Sequence, residues 1–169
     1  MKKLCFVNLI LFFCVILSSC SQMPNMDTLL AYQKEGAEMD LRITDGSSFS
    51  AHAEYIEGGV RLTFTEGDAE NISYVSDENG NIRLTYDGID ISISDDTCLK
   101  CADWFSLLIL SPAETIWKIK KENLGGTDVY VCSDQNGTIV YIDAIARIPL
   151  KFKAADLEID VTAYRQDSN

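Results

Sequence analysis

The sequence predicts an α+β fold dominated by antiparallel sheet, with about ten strands covered by an N-terminal helix and a central helical insertion. Three observations predict it. Apolar and polar residues alternate with period two from Met39 to Ile93 and again from Asp128 to Tyr164. Short turn sequences (Asp45-Gly46, Glu57-Gly58-Gly59, Glu66-Gly67-Asp68, Asn79-Gly80, Asp87-Gly88) punctuate the first of these stretches. Between the two lies Trp104 to Leu110, apolar on nearly every side. Alternation leaves one sheet face buried and one wet, which belongs to antiparallel meanders rather than to parallel sheets covered on both faces.

The elements follow in order. Asn25 or Asp27 is placed to cap a helix running to about Lys34, with Gly36 ending it. Strands are expected around Met39–Ile43, Phe49–Tyr55, Val60–Phe64, Ile72–Val75, Ile82–Tyr86 and Ile89–Ile93. The Trp104–Leu110 run reads as a buried helix, with a buried strand as the alternative. Ser111-Pro112-Ala113-Glu114 has the form of a capping box with proline at the first helical position. It predicts a second helix with Ile116, Trp117 and Ile119 facing inward, Lys118, Lys120 and Lys121 outward, and Gly125-Gly126 as its end. Strands return at Asp128–Cys132, Thr138–Asp143, Arg147–Phe152 and Leu157–Tyr164. Tyr74 to Ile82 and Val131 to Ile139 echo each other as strand, Ser-Asp-x-Asn-Gly turn, strand, which predicts two hairpins with the same turn.

The first twenty residues predict export. Lys2 and Lys3 precede an uncharged, mostly apolar run from Leu4 to Leu17, closed by Leu17-Ser18-Ser19-Cys20. A basic start, an apolar stretch and small residues before a break mark a secretory signal. The stretch is shorter than the roughly 20 residues of an ordinary membrane-spanning helix. Leu-Ser-Ser-Cys resembles the bacterial lipobox, which implies cleavage before Cys20, acylation of its thiol by palmitate-type chains, and a lipid-anchored product on the outward side of a cell membrane. Residues 1–19 are then a signal peptide and 20–25 a lipidated tether. Losing Lys2 and Lys3 takes the net charge from −12 to −14. So acidic a chain is repelled by nucleic acid and by anionic lipids, and anchoring must come from acyl chains rather than a basic patch.

Cys98, Cys101 and Cys132 remain outside the signal and tether. A disulfide joining Cys132 to Cys98 or Cys101 is the expected arrangement; reduced thiols and a Cys-x-x-Cys exchange site are the alternatives. Three thiols and the single His52 do not make a four-cysteine zinc site. His52 falls on the polar face of its strand, where a solvated role is expected. Asp77, Asn79 and Asn81 superficially resemble a calcium loop but lack its downstream glutamate, which predicts a plain turn. No constellation for hydrolysis or phosphoryl transfer is present, so the sequence predicts neither an enzyme nor a cofactor.

The order of helix, about six strands, helical insertion and about four strands resembles the LolA/LolB family of lipoprotein carriers. Val60-Arg61-Leu62-Thr63-Phe64-Thr65, Ile72-Ser73-Tyr74 and Ile148-Pro149-Leu150-Lys151-Phe152 also resemble the small LolA-like lipoproteins of clostridia, a group that includes the GerS-like spore-germination proteins. The resemblance implies that residues 26–169 form one LolA-like domain, a strongly curved open sheet or half-barrel whose apolar concave face is covered by helices. It also implies a hydrophobic ligand, lipid or acyl chain, held in that groove. Trp104, Phe105, Leu107, Leu108 and Trp117 are then candidate lid and groove residues, with ordinary core packing as the alternative. A second reading, an accessory that docks an envelope or cell-wall enzyme on the sheet, remains open.

Overall fold

A computed structural model of the chain describes residues 23–77, 81–93, 99–113 and 115–166. They form one open antiparallel sheet of 11 strands with two helices. The strands are β1 (Ala37–Asp45), β2 (Ser47–Ile56), β3 (Gly59–Phe64), β4 (Ser73–Asp77), β5 (Ile82–Tyr86), β6 (Ile89–Ile93), β7 (Lys118–Leu124), β8 (Thr127–Ser133), β9 (Ile139–Asp143), β10 (Pro149–Ala154) and β11 (Leu157–Gln166). Helix α1 is Met26–Leu29 and α2 is Leu99–Leu108.

The strand order is β6-β5-β4-β3-β2-β1-β11-β10-β9-β8-β7. Two meanders, β1–β6 and β7–β11, are therefore joined through the first and last strands, and β6 and β7 lie at opposite edges. The connection between them carries α2 and has to traverse the sheet. Ten inter-strand steps of about 4.8 Å make a path of roughly 48 Å, whereas a ten-residue helix is about 15 Å long. One helix cannot cover that width.

Burial is one-sided. Ala37, Met39, Leu41 and Ile43 of β1, Ala51, Ala53 and Tyr55 of β2, and Val60, Leu62 and Phe64 of β3 are buried, while the residues between them are partly or fully exposed. Phe152, Ile159, Val140, Ile142 and Cys132 continue the same inner face in the second meander. The register shifts at Asp40/Leu41 against β11 and at Pro149/Lys151 against β9. Thr162 is the extra residue at the first shift, and its hydroxyl donates to Asp40 O at 2.9 Å. Bulges bend a strand and sharpen its twist, so this sheet, bent near its middle and unclosed, is consistent with a curved half-barrel.

Three expectations need correction. The sheet has 11 strands rather than ten, because the second predicted helix is a strand. Lys118–Leu124 pairs with β8 from Lys118↔Ser133 to Leu124↔Thr127, and Gly125-Gly126 is the two-residue hairpin loop between them. Both glycines have positive φ (60° and 97°), which such a tight turn requires and which no helix end needs twice over. Ile116, expected inside, is 75 % exposed. The N-terminal helix is also shorter than predicted. Asn25 caps it, accepting from Thr28 N at 2.9 Å, but the chain turns after Leu29. Tyr32, just past the helix, is 2 % exposed and packs against Tyr55 and Phe152. Helical coverage of the sheet is correspondingly small.

Candidate functional site: a half-covered apolar face

Helix α2 places four candidate residues against the inner face: Trp104, Phe105, Leu107 and Leu108 are all buried. Trp104 packs at a tilt against Phe49 and edge-on against Phe64, at ring distances of 5.1 and 5.9 Å, and Phe64 in turn meets Tyr74. The indole Nε1 of Trp104 is buried and has no hydrogen-bond partner among the described residues. Such an orphaned donor costs about 1–3 kcal/mol. Trp117, the fifth candidate, lies at the far end of the crossing segment, half-buried against the core, its Nε1 3.4 Å from Ser111 O. Of the five candidates, Phe105 lines the cleft between α2 and β4–β5, and Trp104, Leu107 and Leu108 are packed in the core.

The C-terminal end of α2 is fastened. Tyr55 Oη donates to Leu108 O at 2.7 Å, satisfying a carbonyl the helix leaves unpaired. With its amide oriented to suit both partners, Gln33 donates to Leu110 O at 3.1 Å and accepts from Leu110 N at 3.2 Å. Burial pushes the Tyr55 and Tyr32 hydroxyls far above the ordinary phenol range, so both stay neutral. Ala102 and Asp103, nearer the N-terminal end, are exposed.

Beside this anchored end the face is open. A cleft of about 280 Å³ runs between α2 (Ala102, Phe105, Ser106) and β4–β5 (Ser76, Asp77, Ile82), with Ile109 at its margin. Ile109 also borders a second cleft of about 400 Å³ formed with Gln33, Tyr55 and the β2–β3 turn. Beyond the first cleft the apolar face continues without a cover among the described residues. Leu62, Tyr74, Leu84 and Ile91 are consecutive cross-strand partners, hence on one side of the sheet. Exposure rises along that row, from 0 % at Leu62 to 53 % at Ile91, and the neighbouring Tyr86 and Ile89 are 51 % and 62 % exposed. Alternation could show that Ile82, Ile89 and Ile91 face one way. It could not show that β6 is an edge and that α2 stops short of it.

The remaining sequence candidates are dispersed. Cys20 and Cys98 lie outside the described residues, and Cys101 is described only through the backbone of α2. Cys132 is a free thiol on β8, fully buried, and burial pushes its pKa up to about 12. Protonated and enclosed, it is not a nucleophile. His52, expected to be merely solvated, is instead part of an ion cluster on the outer face: its Nδ1 is 2.8 Å from Asp40 Oδ1 and its Nε2 3.8 Å from Glu38. Arg165 Nη2 donates to the same Asp40 oxygen at 2.8 Å. The Arg165 and His52 hydrogen bonds hold the Asp40 carboxyl below its usual range. Of the two echoed turns, residues 78–80 of the first, Asn79 among them, lie outside the described residues. Flanking them, Asp77 Oδ1 accepts from Asn81 N at 2.9 Å, and in the second turn Asp134 Oδ1 accepts from Thr138 N at 2.8 Å.

No family model and no curated protein matches the chain. Solved structures do match. An uncharacterized conserved protein from Thermus thermophilus superposes with a TM-score of 0.56 at 10 % identity, covering 85 % of this chain and 86 % of that one. MucB superposes with a TM-score of 0.52 at 13 % identity, covering 85 % of this chain and only 57 % of its own. The lipoprotein LppX of Mycobacterium tuberculosis aligns more loosely, with a TM-score of 0.43 at 8 % identity over 85 % and 94 % of the two chains. At such identities the likeness is one of fold. It shows a fold shared with the Thermus protein and with MucB, and gives the narrower resemblance to clostridial GerS-like proteins no support.

Proposed function

We propose that the protein is an exported lipoprotein, anchored through Cys20, that holds a hydrophobic ligand such as an acyl chain against the inner face of its sheet. One observation carries this reading. The inner face is apolar across its width, but α2 covers only its middle, leaving the cleft between Phe105 and Ile82 open toward Tyr86, Ile89 and Ile91. Exposed apolar surface is unfavourable by about 25 cal/mol per Å², so a ligand filling the cleft replaces water at a gain. The fastened C-terminal end of α2 and the exposed Ala102 and Asp103 suit a lid that swings about Leu108–Leu110. The proposed role is not catalytic: His52 is engaged by Asp40 on the opposite face, and Cys132 is sealed in the core. Among the described residues no helix is long and apolar enough to cross a membrane.

The test is titration of the full-length protein in detergent with a fluorescent fatty acid. Ala102→Trp, on the exposed side of α2 where it lines the cleft, should abolish saturable uptake while leaving the unfolding midpoint unchanged. Equal uptake by both proteins would refute the groove. A companion Cys20→Ser variant should leave the membrane fraction. The accessory reading is favoured by one feature, the exposed apolar edge at β6.

A further inference from the structure

We infer that β6 is the contact through which two copies of this chain pair, strand against strand about a twofold axis at Ile91. Edge strands expose alternate N–H and C=O groups and template further pairing unless they are blocked. The two edges of this sheet differ in that respect. β7 carries Lys118, Lys120 and Lys121, all exposed, in the manner of a protected edge. β6 carries no cation, and its Ile89 and Ile91 are 62 % and 53 % exposed.

The sequence of β6, Ile89-Asp90-Ile91-Ser92-Ile93, reads with the same pattern in both directions. Antiparallel pairing about Ile91 sets Ile91 against Ile91 of the second copy and Ile89 at the register position of its Ile93. Asp90 falls at the position of Ser92 of the second copy, so no carboxylate lies directly opposite another. Within its own chain Asp90 accepts from Thr85 Oγ1 at 2.6 Å, which draws its charge back toward β5 and away from the edge. A one-residue slip would set isoleucines against the polar face and lose this match. Pairing also joins two half-covered ends, with Tyr86, Ile89 and Ile91 of each copy, into one continuous apolar trough.

Five residues a side bury less than the roughly 1,200 Å² of a stable complex, so the dimer is weak and concentration-dependent. A membrane tether, which rests on the function proposed above, would raise the local concentration enough to populate it. The edge pairing itself does not depend on that function.

The experiment is site-specific cross-linking of the full-length chain in isolated membranes, with Cys98 and Cys101 replaced by serine. Opposed residues in antiparallel strands have Cα atoms about 4.5–5.5 Å apart, within disulfide reach. Oxidation with copper phenanthroline should link Ile91→Cys to itself as a dimer absent from the parent. Asp90→Cys alone should not link, whereas Asp90→Cys mixed with Ser92→Cys should. Equal linking at positions 90 and 91, no linking at 91, or an adduct to a different protein would overturn the proposal. As a control on folding, the native chain sedimented in detergent should show a concentration-dependent dimer that Ile91→Lys removes. A monomer at every concentration would also overturn it.

Discussion

Two cross-strand rows leave the centre of the sheet in opposite directions and end differently. Toward β7, Ile159, Phe152, Val140 and Cys132 are all 0 % exposed, and burial reaches the penultimate strand. Toward β6, burial is complete at Leu62, partial at Tyr74 and Leu84, and lost at Ile91. Both rows are apolar, so composition does not explain the contrast. Coverage does. After α2, Leu110 and Trp117 pack onto the core, while nothing among the described residues packs over Ile89 and Ile91 of β6 in the same way. The β7 side then turns polar at its rim, where Lys121 pairs with Asp128 at 2.9 Å, and the β6 side stays oily to its last strand. One wing is a finished core and the other an unfinished one. The unfinished wing is where a ligand or a second chain is to be sought.

The comparison can be broken at its centre first. Phe152→Ala removes a fully buried ring that anchors the β7 row and touches Tyr32, and should cost about 3–5 kcal/mol by urea denaturation, loosening both wings together. Gly125→Ala with Gly126→Ala attacks the finished wing alone. Both positions have positive φ, which costs an L-residue roughly 1–2 kcal/mol each, so amide exchange should accelerate in β7 and β8 and stay unchanged in β5 and β6.

Tyr55→Phe sharpens the contrast from the other side. It leaves Leu108 O unsatisfied, should cost about 1–3 kcal/mol, and should speed uptake of a fluorescent fatty acid by loosening α2. Ile89→Thr on the unfinished wing should change stability by less than about 0.5 kcal/mol while weakening binding of that probe. A loss several-fold larger would mean that β6 is packed after all.

The smallest effect concerns pH and lies outside both rows. Because the folded-state pKa of Asp40 is lowered, its contribution is complete above the ordinary carboxylate range and disappears as pH falls through its depressed value. Its side chain is 40 % exposed, so screening leaves only a few tenths of a kcal/mol. Asp40→Asn should flatten that portion of the acid unfolding curve and no other.

Much of this was legible in the chain. Alternation placed ten of the 11 strands, because one wet face and one dry face leave an unambiguous mark. The missed strand, β7, is an edge with nearly every residue exposed, so no dry face exists to write a pattern. Its lysines looked like a helix terminus, and Ser111-Pro112 supplied a convincing local start. Hairpin pairing with β8 overrode both. Trp104 to Leu108 were recognised as buried, but the same apolar run is written for a lid and for a core. Tyr55 and Gln33, which fasten α2, gave no signal at all, since their partners are backbone groups 53 and 77 residues away. His52 likewise found its partners across strands rather than along one.

The central claim is that the β6 wing is completed by something apolar that does not belong to the same fold. Native mass spectrometry of full-length protein, extracted from its own membrane in the mildest effective detergent, tests it most directly. A non-covalent apolar adduct, lost on raising the collision energy and absent from Ala102→Trp, is the predicted result. A spectrum containing only monomeric polypeptide and covalent anchor under every gentle condition would contradict it.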